Sequence, residues 1–168
     1  SGTNYKATIT PLQSGVAYTV GMWLSLWTDN VINPVWSNRG PDGGCELVAT
    51  IINSPTVTLT CYNGASVVGN ATATLLTNRW SHVAFTYAGG GHGNGNGGPV
   101  QLFLNGNPTG ETITNPAKID FFPAKQADSM FSGKFGSPSA LADELRIYNR
   151  VLSNRVLCEQ VAFGGGNA

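Results

Sequence analysis

The chain has 168 residues, 41% of them hydrophobic and 11% charged, with nine Lys and Arg balancing nine Asp and Glu. That length fits one domain, residues 1–168, with enough apolar residues for a sizeable core. Zero net charge removes the attraction on which nucleic-acid affinity and polybasic membrane patches depend. The missing charge is replaced by 22 glycines and by many Asn, Thr and Ser, so the surface is built from neutral hydrogen-bonding groups. Such a composition points to a β-rich, turn-rich domain of the kind found more often outside cells than inside.

Residues 1–12 have strand character and read as an N-terminal strand or extension, able to add to a neighbouring copy. No basic segment followed by an apolar run opens the sequence, so no secretion signal is read there. The most apolar stretch, residues 16–27, is about half the ~20 residues a membrane-spanning helix needs. Instead it alternates with period two. Tyr18, Val20, Met22, Leu24 and Leu26 form one face, read as core; Thr19, Gly21, Trp23, Ser25 and Trp27 form the other.

Cys45 and Cys61 bracket two strand-like runs that meet at Asn53-Ser54-Pro55. A turn centred on Asn53 sets Cys45 directly opposite Cys61, and a non-hydrogen-bonded cross-strand pair lies within disulfide range. The alternative is a pair of buried free thiols. Cys158 is the third cysteine, read as a buried free thiol rather than an intermolecular bridge. Asn70-Ala71-Thr72 is the one N-x-Ser/Thr sequon without proline, making Asn70 a candidate glycosylation site.

Residues 80–87 and 100–104 form two further strands, the second running into Asn105-Gly106, a strong hairpin signal. Pairing Tyr87 with Val100 places Phe85 beside Leu102 and Val83 beside Leu104 on the core face, with His82 near Asn105 behind them. Residues 141–148 form a late strand with Leu145 and Ile147 inward. Ser153 is a good N-cap for a helical turn over residues 154–159, and residues 164–168 are a glycine-rich tail. Many short strands with almost no helix predict an all-β, antiparallel two-sheet sandwich or barrel.

Catalysis is not expected. A glycosidase needs two carboxylates across a cleft, and the acids here are scattered; the one neighbouring pair, Asp143-Glu144, would point to opposite faces of a strand. The glycine stretch at residues 89–98 lacks the Lys-Ser/Thr of a phosphate loop, and no G-x-S-x-G elbow is present.

Three segments together carry a resemblance: Tyr18-Thr19-Val20-Gly21-Met22-Trp23; Trp80-Ser81-His82-Val83-Ala84-Phe85-Thr86-Tyr87 with Leu102-Phe103-Leu104-Asn105-Gly106; and Ala142-Asp143-Glu144-Leu145-Arg146-Ile147-Tyr148-Asn149-Arg150-Val151-Leu152-Ser153. Their order and spacing resemble the laminin G-like, concanavalin A-like domains. The resemblance implies a jelly-roll β-sandwich, usually secreted or on a cell surface, that binds carbohydrate or protein and often carries calcium. It makes Asp143 and Asp42 the candidate calcium ligands. The alternative has Asp143 and Glu144 capping the strand and pairing with Arg146. It also makes Trp23 and Trp80 packing residues.

Sugar sites combine aromatic platforms with neutral polar groups. Trp27, with Trp23, Phe103 and Tyr148, lies opposite the core face of its strand, and Trp36, Trp80 and Tyr62 lie at strand ends or loops; of these Trp27, Trp36 and Tyr62 are the candidate ligand-binding residues. The expected function is a non-catalytic extracellular binding module for carbohydrate or a surface partner. The alternative is a self-assembling subunit of a filament, sheath or surface layer, joined through residues 1–12. Neither nucleic acid nor membrane insertion is expected.

Overall fold

The computed structural model describes residues 15–26, 32–50, 54–90, 97–115, 119, 121, 129–130 and 140–164. Their strands are β1 (Tyr18–Leu26), β2 (Ile32–Ser37), β3 (Gly43–Thr50), β4 (Thr56–Asn63), β5 (Ser66–Thr74), β6 (Trp80–Tyr87), β7 (Val100–Leu104), β8 (Asn107–Ile113), β9 (Ser129–Met130) and β10 (Ala140–Tyr148), followed by helix α1 (Asn154–Gly164). They form two five-stranded antiparallel sheets: a front sheet in the order β10-β1-β6-β7-β8 and a back sheet in the order β5-β4-β3-β2-β9. The chain is an all-β sandwich. The expected strand or extension at residues 1–12, the turn at Asn53 and the tail at 165–168 fall outside the described residues.

Period-two alternation builds the interior. Val20, Met22, Leu24 and Leu26 of β1 face Leu47, Val57 and Leu59 of the back sheet in one core, all fully buried. Registers follow the expected pairings: Cys45 opposite Cys61 with Thr50 opposite Thr56, and Tyr87 opposite Val100 with Val83 opposite Leu104. The Cys45–Cys61 disulfide is formed. Its geometry has a local cause. The Cys45 N–H donates to Asn38 Oδ1 and its carbonyl accepts from Asn38 N–H, so Cys45 spends its ladder bonds on the β2 side and stands opposite Cys61 as a non-hydrogen-bonded pair.

Two placements correct the sequence reading. Trp36 is wholly buried and stacks at 4.8 Å against Phe85 across the two sheets. It is a core residue rather than an open ring, because a register shift between Pro34 and Trp36 breaks the alternation and turns consecutive Val35 and Trp36 both inward. Cys158 is a free thiol as expected, but it lies exposed on α1 rather than buried.

The second difference concerns the outer face of the front sheet. All nine residues of β1 are buried, so its outer face is covered as well as its inner one. Part of the cover is α1. Leu152 and Leu157 pack with Ala84 and Phe103 in a second small core joined by Tyr148 and Val156. Ser153 caps the helix, its hydroxyl accepting from Val156 N–H. Phe103 and Tyr148 therefore lie on the predicted face but beneath a helical roof. The hairpin turn supports that roof: Gly106 has φ +81, and a Cβ there would lie 2.6 Å from Cys158 Sγ and 2.8 Å from its Cα.

Two outcomes follow. Gly106→Ala combines left-handed backbone strain with a clash against α1 and is expected to lower unfolding free energy by about 2 kcal/mol, read by urea denaturation. The disulfide spans a sequence separation of 16, and unfolding under reductant is expected to cost about 3 kcal/mol less than under oxidising conditions; an unchanged urea midpoint would contradict this.

Candidate functional site

Because strand neighbours directly opposite share a face, the front-sheet registers give its outer surface row by row. Gly21 lies between Arg146 and Ala84, Trp23 between Asp143 and His82, and Ser25 between Leu141 and Trp80. Towards the Thr19 end this surface is roofed by α1 and the segment leading into it. Towards the Ser25 end, among the described residues, Trp80 and Leu141 are each 41% exposed, while Ser25 between them is 5% exposed. The result is a partly exposed apolar surface, the Trp80 slot, in which Trp80 and Leu141 wall a covered serine. Its walls stand on strands two apart, so their Cα atoms are about 10 Å from each other.

The next row forms the inner end of the slot. Trp23 is 8% exposed and meets the His82 ring edge-on, with centroids 5.4 Å apart. His82 fits there because residue 21 has no side chain: a Cβ on Gly21 would lie 3.3 Å from His82 Nε2. Burial, reinforced by the nearby Arg146 charge, lowers the His82 pKa to about 4. The imidazole is neutral at physiological pH, and among the described residues its buried Nδ1 has no hydrogen-bond partner. The Arg146 guanidinium pairs with Glu144 at 2.9 Å, both half exposed, a contact that adds little stability.

Strand β10 is irregular at this point. Between Gly21 and Trp23 the register slips, and Glu144 takes φ +50, a bulge that turns the edge. Asp143 Oδ1 accepts the Glu144 N–H at 2.8 Å. The capping alternative for these acids thus describes them: Asp143 holds the bulge and Glu144 holds Arg146. Asp42 lies exposed in the turn between β2 and β3, on the other sheet from Asp143. Among the described residues no three His, Cys, Asp or Glu side chains gather to hold a metal ion, and calcium wants 6 to 8 oxygens with several carboxylates. Among the described residues, Asp42 and Asp143 are not gathered with a third such side chain.

Tyr62 is half-buried on the outer face of the back sheet, engaged by its neighbours. Its hydroxyl donates to Glu46 Oε1 at 2.6 Å, and the Arg39 guanidinium sits 3.7 Å above its ring while reaching Glu46 at 3.6 Å. Burial and the Glu46 carboxylate raise its pKa. One ring face is taken, which leaves Tyr62 poorly suited as a platform. Trp27 falls outside the described residues. The sequence reading assigned Trp80 to packing, whereas the structure exposes it. The signal for that was in the register: Trp80 is the first residue of β6, opposite a small serine.

The buried neutral His82 makes stability pH-dependent. Its folded pKa lies below the ordinary value of 6.5, so on acidification the unfolded chain takes up a proton before the folded one does. Stability is therefore expected to fall between about pH 6.5 and 4, and His82→Phe is expected to flatten that part of a pH series of urea midpoints. An unchanged slope would show that His82 is not its source.

The described fold and slot can be set beside known proteins. No curated protein sequence matches the chain. Among solved structures, the receptor binding domain of botulinum neurotoxin D superposes with a TM-score of 0.64 at 12% identity, over 92% of this chain and 38% of that one. A botulinum neurotoxin type C structure gives 0.63 at 12% identity over 88% and 35%, and the binding domain of botulinum neurotoxin DC in complex with rat synaptotagmin II gives 0.61 at 12% over 88% and 36%. The chain spans little more than a third of these neighbours, and at such identity the likeness is one of fold. The family model for the concanavalin A-like lectin/glucanases superfamily, of laminin G type, matches residues 1–157. With a match over nearly the whole sequence and the two-sheet sandwich that goes with it, the chain belongs to that superfamily.

Proposed function

We propose that this chain is a non-catalytic binding module that recognises carbohydrate in the slot formed by Trp80, Ser25 and Leu141. The observation that carries the reading is the exposed indole of Trp80 facing Leu141 across a buried serine hydroxyl. An indole stacks on the apolar face of a pyranose, the aromatic contact that sugar sites use. The inner row adds Trp23 and the neutral His82 and, on the far side of Trp23, the exposed Asp143 carboxylate, while Arg146 and Glu144 pair with each other.

The neighbours in fold support a binding role over a catalytic one. One is described as a receptor binding domain, one is a toxin whose cell entry depends upon two ganglioside molecules, and one is held in complex with a synaptotagmin. Glycolipid and protein are therefore both precedents for the partner class. We place the module outside the cell or on its surface. A buried intramolecular disulfide fits an oxidising compartment, and among the described residues no helix is long and apolar enough to cross a membrane.

The test is a glycan array of neutral and acidic oligosaccharides, followed by titration of the best hit. Trp80→Ala is expected to weaken binding by about tenfold or more, as removal of a central aromatic anchor does, with an unchanged urea midpoint. A wild-type protein that binds no glycan, or a Trp80→Ala variant that binds as tightly, would overturn the assignment.

A further inference from the structure

The sequon Asn70-Ala71-Thr72 lies in β5, at the end of the back sheet. Its central residue, Ala71, is 2% exposed and sits in the main core opposite Leu59. That burial fixes the phase of the strand. Residues two apart share a face, so Asn70 and Thr72 both point outward, and both are exposed. A slip of one residue would bury them, but the Ala71 and Ala73 contacts with the core hold the register.

Asn70 has no task in the fold. Among the described residues no hydrogen bond holds its amide. Thr72, by contrast, shares a hydrogen bond of 3.0 Å with the Thr58 hydroxyl on the same surface, which sets its orientation beside Asn70. Opposite Asn70 stands Thr60, a small residue that leaves the amide uncovered. A second Asn with a hydroxyl two residues on, Asn107-Pro108-Thr109, is exposed at its Asn too, but its proline disqualifies it as an acceptor. Of the two candidates, the accessible one is the one with acceptor chemistry.

We propose that Asn70 is an acceptor for N-linked oligosaccharide. The donor class is an oligosaccharide carried on a lipid pyrophosphate. Asn70 Nδ2 attacks the anomeric carbon of the reducing-end sugar and the new C–N bond forms. The bond from that carbon to the pyrophosphate oxygen breaks, the lipid pyrophosphate leaves with the electron pair, and the amide gives up one proton. Nothing is oxidised or reduced. The modification belongs to compartments where disulfides also form, so it is chemically compatible with the buried Cys45–Cys61 bond. The glycan would stand on the outer face of the back sheet, across the sandwich from the Trp80 slot.

The test is to secrete the full chain from a eukaryotic cell line and map its peptides before and after digestion with an amide-cleaving N-glycanase. The expected result is a gel shift on digestion and conversion of residue 70 from Asn to Asp. Thr72→Ala and Asn70→Gln are expected to abolish the shift, and Thr72→Ser to keep it. A secreted, disulfide-bonded wild-type chain whose residue 70 is unmodified would overturn the proposal, as would a shift that survives Asn70→Gln. Glycan-array binding by the digested protein reads the slot separately: it is expected to be unchanged, and a loss on digestion would contradict the placement of the glycan away from the slot.

Discussion

The Thr19 hydroxyl ties the C-terminal chain to the front sheet. It donates to the Arg150 carbonyl at 2.7 Å and accepts from the Leu152 N–H at 3.0 Å, a contact between residues more than 130 positions apart in sequence. Both groups it satisfies would otherwise be backbone atoms crossing a buried sheet surface without partners, a costly arrangement. With the chain held there, Ser153 starts α1 at the right place, Leu152 and Leu157 settle on Ala84 and Phe103, and the Asn105-Gly106 turn closes against the helix. One threonine thus anchors the segment that leads into the helical roof.

The slot depends on small residues as much as on its aromatic wall. Gly21 leaves room for the His82 ring beside β1, His82 in turn meets Trp23 edge-on, and Ser25 is the small residue between Trp80 and Leu141. These residues belong to three neighbouring strands, so the geometry is held by ladder hydrogen bonds rather than by loops. Sites built on strands keep their spacing, which favours recognition of a rigid ligand over an adaptable one.

Much of this was legible in the residues. The alternation of β1 gave its core face; the β3–β4 register, and the disulfide with it, followed from the turn centred on Asn53, and the β6–β7 register followed from matching the core faces of the two strands. Ser153 was a recognisable cap. What escaped was non-local or irregular. Trp36 read as a loop aromatic because the shift beside Pro34 breaks the alternation that would have revealed its inward direction. Trp80 read as a packing residue because that role came from the family resemblance rather than from its place as the first residue of β6, opposite a small serine. Phe103 and Tyr148 were placed on the correct face, yet a face says nothing of what lies above it. The bulge at Glu144, which occupies both acids of β10, has no pattern in sequence that separates it from a regular strand carrying metal ligands.

The pairing of Thr19 with Tyr148 means that the chain enters β1 and leaves β10 at the same corner of the sandwich. Tension applied along the backbone from those two points would act on the β1–β10 ladder from its end, opening it like a zip one hydrogen bond at a time instead of shearing all of them together. The first elements to feel the load would be the Thr19 hydrogen bonds and, behind them, the helix that roofs the front sheet. Under tension applied at those two points the front sheet would therefore yield by unzipping β1 from β10 rather than by shearing the whole ladder at once.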